Sequence, residues 1–360
     1  MSNNHPRFKH YPQHGDYYRM YPAYRPFVYW INEPSYRSAY VNTDDLGIRW
    51  TILPGGSLVD VPALKSHFEQ CDIIIGGSTV FGVDASADDK TISSYLSSDD
   101  VPCINLGNRG ATSYQELLLF MFMQPQFPKI RNIHILSGVN DCSLAAMEGS
   151  LIYDGYGGIF GQDQYMTYPY MSNLSVCYDD QSYNRWRMYN AIERRYRDNG
   201  FFRSIIRAFL GRAYGNEPLR NLATDKRMSF ERKLEQNLKN LSNQFSSWKA
   251  LAESHGASLR YFLQPCVNWN KKAASIVEAE CYGADLKVYP SMADYANPAF
   301  HTSYSKSVKA LCENAGIPFH DTNDALHSLA ADIDIFTDVC HLTDSGNRVV
   351  ADFIRQKSNA

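Results

Sequence analysis

The sequence has no long hydrophobic run. No stretch of its 360 residues approaches the roughly 18 consecutive apolar residues that a membrane-spanning helix requires. The first 40 residues are polar and aromatic, and they contain no apolar segment of the kind found in secretory signals. These two absences predict a protein without an integral membrane segment, and we expect a cytoplasmic location.

An excess of one charge is also lacking. The 35 Lys and Arg residues oppose 38 Asp and Glu residues, which gives a net charge of −3 and a pI near 6.4. Such a balance provides no overall attraction to nucleic acids or to acidic membranes, so we expect no nucleic-acid partner. The hydrophobic fraction of 44% is sufficient for a buried core.

Cysteine pairs at metal or redox spacing are absent. The eight cysteines include no C-x-x-C pair, and no group of histidines has metal-ligand spacing. Several cysteines lie within apolar, strand-like runs, which predicts buried free thiols in a reducing compartment and neither a metal nor a cofactor. The eight are Cys71, Cys103, Cys142, Cys177, Cys266, Cys281, Cys312 and Cys340.

Short apolar runs alternate with helix-like segments along most of the sequence. The runs span residues 71–75, 101–106, 130–136, 258–263 and 317–320. Apolar residues at helical spacing mark segments at 112–123, 230–251, 302–315 and 343–356. This alternation predicts a parallel sheet covered by helices on both faces. In such sheets the active site lies at the carboxyl ends of the strands.

Two segments lie outside this pattern. Residues 1–65 are predicted to form an N-terminal extension packed on a domain of residues 66–357, with about the first twenty as a loose tail and the rest as short strands and irregular structure. Residues 143–228 are rich in Tyr, Gly and Arg, and they are predicted to be an insertion between the third and fourth strands that caps the strand ends. Nine arginines against three acids give residues 185–220 a local charge of +6. They indicate either a solvated basic face or a site for anions or membranes.

An acid stands three residues before a histidine near the end of the sequence. Asp338 and His341 are close enough for a single turn to place a carboxylate beside the imidazole. Such a pair fixes the tautomer of the ring and stabilises the imidazolium that forms when the ring takes a proton. The pair therefore predicts a general base that requires a nucleophile.

Ser78 is the candidate nucleophile. It follows the first apolar run directly, and Gly76 and Gly77 permit a sharp turn that exposes the hydroxyl group. Taken alone, this is also an ordinary turn. The spacing does not fit the G-x-S-x-G motif of α/β-hydrolases because Val80 stands in place of the last glycine.

Two further residues follow the next two apolar runs. Gly110 could offer a backbone N–H, and Asn140 a side-chain amide, to an oxyanion. Each residue alone is also typical of a turn or of the start of a helix, for which Thr112 or Ser113 could be the N-cap.

Together these residues resemble the SGNH (GDSL-type) hydrolase superfamily, over roughly residues 70–145 and 255–357. Ser78, Gly110, Asn140 and the Asp338-x-x-His341 pair match the four sequence blocks of that family in order. The resemblance implies a flavodoxin-like three-layer α/β/α sandwich with a central parallel five-stranded sheet. One departure is visible, since the family's Gly-Asp-Ser-Leu reads Gly-Gly-Ser-Thr here.

The resemblance also implies roles for these residues. Ser78 would attack an ester carbonyl, His341 would act as the base and Asp338 would orient it. The oxyanion hole would comprise the backbone N–H groups of Ser78 and Gly110 and the side chain of Asn140. The 25 tyrosines suit a sugar-binding cleft, so small acyl groups on a carbohydrate are the expected substrate. The alternatives are an O-acyltransferase with the same triad and a non-catalytic binding protein that retains the fold.

Other polar residues are expected to be structural. Asp141 is predicted to orient the Asn140 loop, and Cys340 is interpreted as a spacer. Three acids are interpreted as helix-start residues, namely Asp84, Asp88 and Asp89. Five histidines are interpreted as structural, namely His67, His134, His255, His301 and His320.

Overall fold

The computed structural model describes residues 5–25, 27–147 and 229–359. Within these ranges the strands are β1 (Ala23–Arg25), β2 (Tyr29–Ile31), β3 (Thr51–Ile52), β4 (Leu58–Val59), β5 (Gln70–Gly76), β6 (Cys103–Gly107), β7 (Lys129–Ser137), β8 (Ser258–Leu263) and β9 (Phe319–Asp321). The α-helices are α1 (Pro6–His10), α2 (His14–Arg19), α3 (Val61–His67), α4 (Ser78–Phe81), α5 (Ile92–Leu96), α6 (Ser113–Met123), α7 (Val139–Ala146), α8 (Phe230–His255), α9 (Ile276–Val288), α10 (Met292–Tyr295), α11 (Pro298–Ala315) and α12 (Asp344–Ser358).

The central sheet has five parallel strands in the order β6-β5-β7-β8-β9. The predicted five-stranded parallel sheet is therefore confirmed. In its register, Gly76 lies beside Gly107 on one side and beside Leu136 on the other. The carboxyl ends of β5, β6 and β7 are thus level, and the segments that follow them emerge at the same edge of the sheet.

Helices cover both faces of the sheet, as the alternation of side chains along each strand requires. Ile73 and Ile75 of β5 point into a core shared with α6, α8 and α11, while Ile74 between them points into a second core with α5 and α12. Both faces are apolar because both are covered. The result is the three-layer α/β/α sandwich that the sequence predicts. Among the helices of the described ranges, none is long and apolar enough to cross a membrane.

Two helix ends have caps of the kind that their residues favour. Thr112 and Gln115 form a capping box at the start of α6. Gly256 ends α8 in the left-handed conformation. The helices α9 and α10, between β8 and α11, lie in a segment for which no helix was predicted.

The prediction of a loose tail is wrong for residues 5–19. These residues form α1 and α2, and Pro6 occupies the first turn of α1 while His5 accepts a hydrogen bond from the Arg7 backbone. Residues 21–65 contain the short antiparallel pairs β1–β2 and β3–β4. The division at residue 65 remains a prediction. Of the predicted insertion 143–228, the structure describes only the first five residues, and the remainder lies outside the described residues.

Close packing between α4 and the sheet depends on a glycine at the end of β6. A Cβ atom on Gly107 would lie 2.0 Å from the backbone nitrogen of Phe81. No real contact is that short, so α4 can approach the sheet only because residue 107 has no side chain.

We expect Gly107→Ala to destabilise the protein by roughly 1–3 kcal/mol, as overpacked core substitutions do. The matched control is Gly283→Ala in the middle of α9, where an added Cβ meets nothing within 4 Å. That control should stabilise by up to about 1 kcal/mol, because alanine is the better helix former. Urea midpoints measure both changes, and an equal midpoint for the two variants would contradict the packing argument.

Candidate active site

The structure brings Ser78, His341 and Asp338 together. The Oγ atom of Ser78 lies 2.6 Å from Nε2 of His341, and Nδ1 of the same ring lies 2.5 Å from Oδ2 of Asp338. With Nδ1–H donating to the carboxylate, Nε2 carries a lone pair and accepts the serine hydroxyl. This is the hydrogen-bond relay by which a histidine removes a proton from a serine.

Ser78 is placed by the sharp turn between β5 and α4. It is the first residue of α4, and its backbone N–H belongs to the first turn of the helix, where N–H groups have no partner within the helix. Gly76 allows the strand to end close to β7, because a Cβ there would lie 2.2 Å from the carbonyl oxygen of Leu136. The hydroxyl is thereby held at the carboxyl edge of the sheet.

The turn that carries the acid and the histidine is tied down by backbone hydrogen bonds. The Oδ1 atom of Asp338 accepts from the backbone N–H groups of Cys340 and His341, at 2.9 and 2.7 Å. The hydroxyl of Thr79 donates to the carbonyl of Cys340 at 2.9 Å, which links this turn directly to α4. Cys340 thus acts through its backbone, in keeping with its interpretation as a spacer.

Gly110 and Asn140 line the same cavity as Ser78 and His341. Gly110 has a φ angle of +71°, a left-handed conformation that glycine adopts without strain. The Nδ2 atom of Asn140 donates to the carbonyl of Ala111 at 2.7 Å. Because a side-chain amide has two N–H groups, one remains for another acceptor.

The departure from the family's Gly-Asp-Ser motif has a steric explanation. A Cβ atom on Gly77 would lie 2.3 Å from Nδ2 of Asn140. Any side chain at position 77 would therefore displace the amide of Asn140 from its present position. In this chain, the close approach of Asn140 to the serine turn requires a glycine immediately before Ser78.

Two buried acids support the start of α7. The carboxylate of Asp141 accepts from the backbone N–H and the hydroxyl of Ser113, at 3.2 and 3.1 Å, which joins α7 to the start of α6. Burial raises the pKa of Asp141 to about 6. The neighbouring Glu116 accepts from the hydroxyl of Ser137, and burial together with the Asp141 carboxylate raises its pKa well above its ordinary value.

Arg7 is a residue of this centre that sequence reasoning missed. Its buried guanidinium lies between two buried carboxylates, donating from Nε to Asp84 at 2.6 Å and pairing through Nη1 with Asp338. Burial acts to raise the pKa of Asp338, but Arg7 and His341 hold it well below its usual range. The acid therefore stays ionised. No local pattern marks Arg7, because it is 334 positions from His341 in the sequence.

The interpretation of Asp84 as a helix-start residue is wrong. Asp84 is fully buried, and besides Arg7 it pairs with Nδ1 of His14 at 2.7 Å and accepts from the hydroxyl of Thr337 at 2.6 Å. Burial acts to raise its pKa, but Arg7 and His14 hold it below the ordinary value. Asp88 does begin a single 3-10 turn, but its carboxylate also pairs with the buried Arg49 at 2.9 Å.

The N-terminal residues also hold the loop that carries Gly110. The guanidinium of Arg109 donates to the carbonyls of Tyr17 and Met20 at 2.6 and 2.9 Å. The side-chain amide of Asn108 donates to the carbonyl of Trp30 at 2.9 Å. The loop before Gly110 is thus held by contacts with Tyr17, Met20 and Trp30.

One group of side chains has the composition of a metal site. Potential ligand atoms of Asp338, Cys340 and His341 lie within 4.8 Å of one another. Both nitrogens of His341 already contact Ser78 and Asp338, and Oδ2 of Asp338 also contacts Arg7. A cation here would have to displace these partners, so the arrangement fits a proton relay better than a metal site.

Two of the histidines interpreted as structural have surroundings that fit this interpretation. His134 is buried in the sheet against Phe262, and burial lowers its pKa to about 4. His301 pairs with Asp321 at 2.8 Å. The seven described cysteines are buried and free, as predicted, whereas Cys177 lies outside the described residues. The compartment in which they stay reduced remains a prediction.

A cavity of about 670 Å³ opens above the serine. Ser78, Gly110, Asn140 and His341 are among the residues that line it. Charged and aliphatic side chains line it too, together with five aromatic residues, namely Tyr17, Tyr18, Trp30, Tyr289 and Tyr295. The cavity is large enough for a small organic ligand.

Comparison with known proteins gives weak likenesses. No protein-family model matches the sequence, and no curated protein matches it. Among solved structures, an acetyl xylan esterase is 12% identical with a TM-score of 0.40, covering 80% of this chain and 98% of its own. A proposed acylhydrolase from Bacteroides fragilis is 15% identical with a TM-score of 0.38, and the match covers 81% of this chain and 86% of the other. A proposed arylesterase from Agrobacterium tumefaciens is 9% identical with a TM-score of 0.40, and the match covers 81% of this chain and 98% of the other. Likeness at this level does not bear on the reaction.

The geometry predicts that Ser78 reacts covalently with a fluorophosphonate probe, because a serine bonded to an oriented imidazole is an activated nucleophile. We expect no labelling of Ser78→Ala, and for His341→Ala a labelling rate lower by on the order of 10³-fold or more. Mass spectrometry of the labelled peptide identifies the residue.

Cys340→Ala is the matched control for this experiment. Its thiol neighbours the imidazole, but burial raises the pKa of that thiol well above its ordinary value. The control variant should label at nearly the wild-type rate. A label on residue 340, or unchanged labelling in His341→Ala, would contradict the assignment of the nucleophile.

Proposed function

We propose that this protein is a serine ester hydrolase of the SGNH type. The observation that carries the proposal is the relay from Ser78 Oγ through His341 to the buried carboxylate of Asp338, with contacts of 2.6 and 2.5 Å. Its three members come from the end of β5 and from the turn before α12, at the carboxyl edge of the sheet. The mechanism, the roles of the residues and the substrate class below are parts of the proposal.

In the first half of the reaction, Oγ of Ser78 attacks the carbonyl carbon of the ester while Nε2 of His341 takes the hydroxyl proton. Asp338 stabilises the imidazolium that results. Collapse of the tetrahedral intermediate breaks the bond to the alcohol, which leaves with the proton from Nε2–H. The acyl group remains on Ser78. A water molecule then attacks the acyl-enzyme with His341 again as the base, and the carboxylic acid is released.

The negative charge of the tetrahedral intermediate would be stabilised by three N–H groups. These are the backbone N–H of Ser78, the backbone N–H of Gly110 and the second amide N–H of Asn140. Two observations support this assignment: all three residues line one cavity, and Nδ2 of Asn140 lies against the serine turn. A donor of this kind contributes about 3 kcal/mol to the stabilisation of the transition state.

A glycan ester with a small acyl group is the substrate class that we propose. Two tyrosines at the cavity, Tyr18 and Tyr289, are 47% and 42% exposed, whereas the other three aromatic residues that line it are buried. Exposed tyrosines present a flat apolar face and a hydroxyl group, a combination that suits sugar rings. An acceptor sugar in the same cavity would instead give an O-acyltransferase.

We expect the wild-type protein to hydrolyse p-nitrophenyl acetate and Ser78→Ala to show no turnover above background. Asn140→Ala should lower kcat by roughly 10²–10³-fold, because one oxyanion donor is lost. Ser303→Ala, at an exposed position in α11, is the control and should be fully active. Wild-type hydrolysis by Ser78→Ala would refute the proposal.

The same assay with added sugar separates hydrolysis from transfer. If acyl sugar forms and p-nitrophenol release accelerates, the protein is an acyltransferase. If neither occurs while the ester is cleaved, it is a hydrolase. If the wild-type protein neither cleaves the ester nor reacts with the fluorophosphonate probe, it is a binding protein that retains the fold.

Gly77→Ala should lower kcat by the same mechanism as Asn140→Ala, because the new methyl group would displace the amide of Asn140. The two substitutions should therefore be strongly non-additive, and the double variant should be about as active as Asn140→Ala alone. Additive losses in this double-mutant cycle would show that residue 77 acts independently of Asn140.

A further inference from the structure

Arg7 contacts the proposed catalytic acid although it takes part in no bond-making or proton-transfer step of the proposed reaction. The side chain is only 3% exposed, and it forks between the carboxylates of Asp84 and Asp338. Its Nη2 atom also lies 3.0 Å from Nδ1 of His341. A planar guanidinium with several donors in fixed directions can hold two carboxylates in a defined geometry.

Charge balance around His341 explains why the arginine and both acids are present. Asp84 and Asp338 are both buried, and a buried carboxylate without a partner is strongly unfavourable. Arg7 compensates one of these two negative charges. The cluster keeps a net charge of −1, which is the charge that a single aspartate would present to the imidazole.

Because Arg7 contacts Nδ1 of His341, the position of Arg7 affects which tautomer the imidazole ring adopts. Nδ1 of a neutral imidazole either donates or accepts, so it can bond to Asp338 or to Arg7 but not to both. Only donation to Asp338 leaves Nε2 free to take the proton of Ser78. Asp84 draws the guanidinium through its Nε atom at 2.6 Å, and the carboxylate of Asp338 lies nearer to Nδ1 than Arg7 does.

We propose that Arg7 is a positioning residue of the active centre, held between Asp84 and Asp338 so that α1 must be docked for the histidine to act as a base. This inference rests on the proposed esterase function. It extends the candidate site from the carboxyl edge of the sheet to Arg7 in α1.

Several charged or titratable groups face His341 from the surrounding elements. Asp338 and Cys340 lie in its own turn, Ser78 in α4 and Arg7 in α1. Asp84 lies between α4 and α5, and it contacts both Arg7 of α1 and His14 of α2. Farther out, Asp285 of α9 pairs with His5 at 3.2 Å. The substitutions below change one of these groups at a time.

The test compares full-length Arg7→Met, Arg7→Lys and Asp84→Asn with the wild type. For each variant, kcat and KM are measured for p-nitrophenyl acetate across pH, together with Tm. Arg7→Met removes a positive charge beside the ring, so the acidic limb of the kcat/KM profile should move up by about one pH unit or more. Asp84→Asn removes a negative charge, so the acidic limb of the same profile should move to lower pH. In both variants kcat should fall by more than KM rises.

Arg7→Lys separates charge from geometry. A lysine keeps the positive charge but lacks the fork, so the acidic limb should stay near that of the wild type while kcat falls. Arg131→Met is the matched control, because Arg131 pairs with Asp72 at 2.8 Å on the surface, away from the cavity. It should leave both kcat and the pH profile unchanged.

A merely structural role of Arg7 would not shift the acidic limb in opposite directions in Arg7→Met and Asp84→Asn. If Arg7→Met lowers Tm but the folded enzyme keeps its kcat and pH profile, or if both charge variants move the limb in the same direction, the inference is wrong. Should Arg7→Met fail to fold, Asp84→Asn and Arg7→Lys decide in the same way. Failure of the esterase proposal itself looks different, because the wild-type protein would then neither label with the fluorophosphonate probe nor cleave the ester.

Discussion

The ionised carboxylate of Asp338 is the group on which the candidate site depends. It is buried, and in that surrounding an acid without partners would bind a proton and could no longer hold an imidazolium. Two backbone N–H groups, the ring of His341 and the guanidinium of Arg7 keep it charged. In the proposed mechanism, the tautomer of His341 and hence the reactivity of Ser78 follow from this charge.

A second constraint is the lack of side chains where the strands end. Gly76, Gly77 and Gly107 each lie where a Cβ atom would come within 2.3 Å of a neighbouring atom. Three strands therefore end level and α4 lies directly on them, which brings the serine turn against Asn140. The charges of Arg7, Asp84 and Asp338 govern the proposed chemistry of the site, whereas these glycines govern the positions of its atoms.

Much of this could be predicted from the sequence because the signals are local. Apolar runs and helical spacing revealed the parallel sheet. The Asp338-x-x-His341 pair lies within one turn, and Ser78, Gly110 and Asn140 each follow a strand. Arg7 and Asp84 could not be found in this way, since a buried arginine has no local pattern and its partners come from distant parts of the chain. Gly77 was noticed for the turn that it permits and as a departure from the family motif, but its steric role was missed because that role depends on a side chain from another strand end.

We expect the docking of α1 and the ionisation of Asp338 to favour each other. A helix of five residues is not stable alone in water, so the order of α1 must come from its contacts with the core. The contacts of α1 with the core include the buried ion pairs from Arg7 to Asp84 and Asp338. Whatever stabilises the ionised Asp338 therefore also favours the docked α1, and docking of α1 favours the ionised acid, because the coupling free energy between two sites is reciprocal. On the proposed role of Arg7, α1 and the turn that carries Asp338 and His341 therefore act as one unit, and the Ser78–His341 relay requires both.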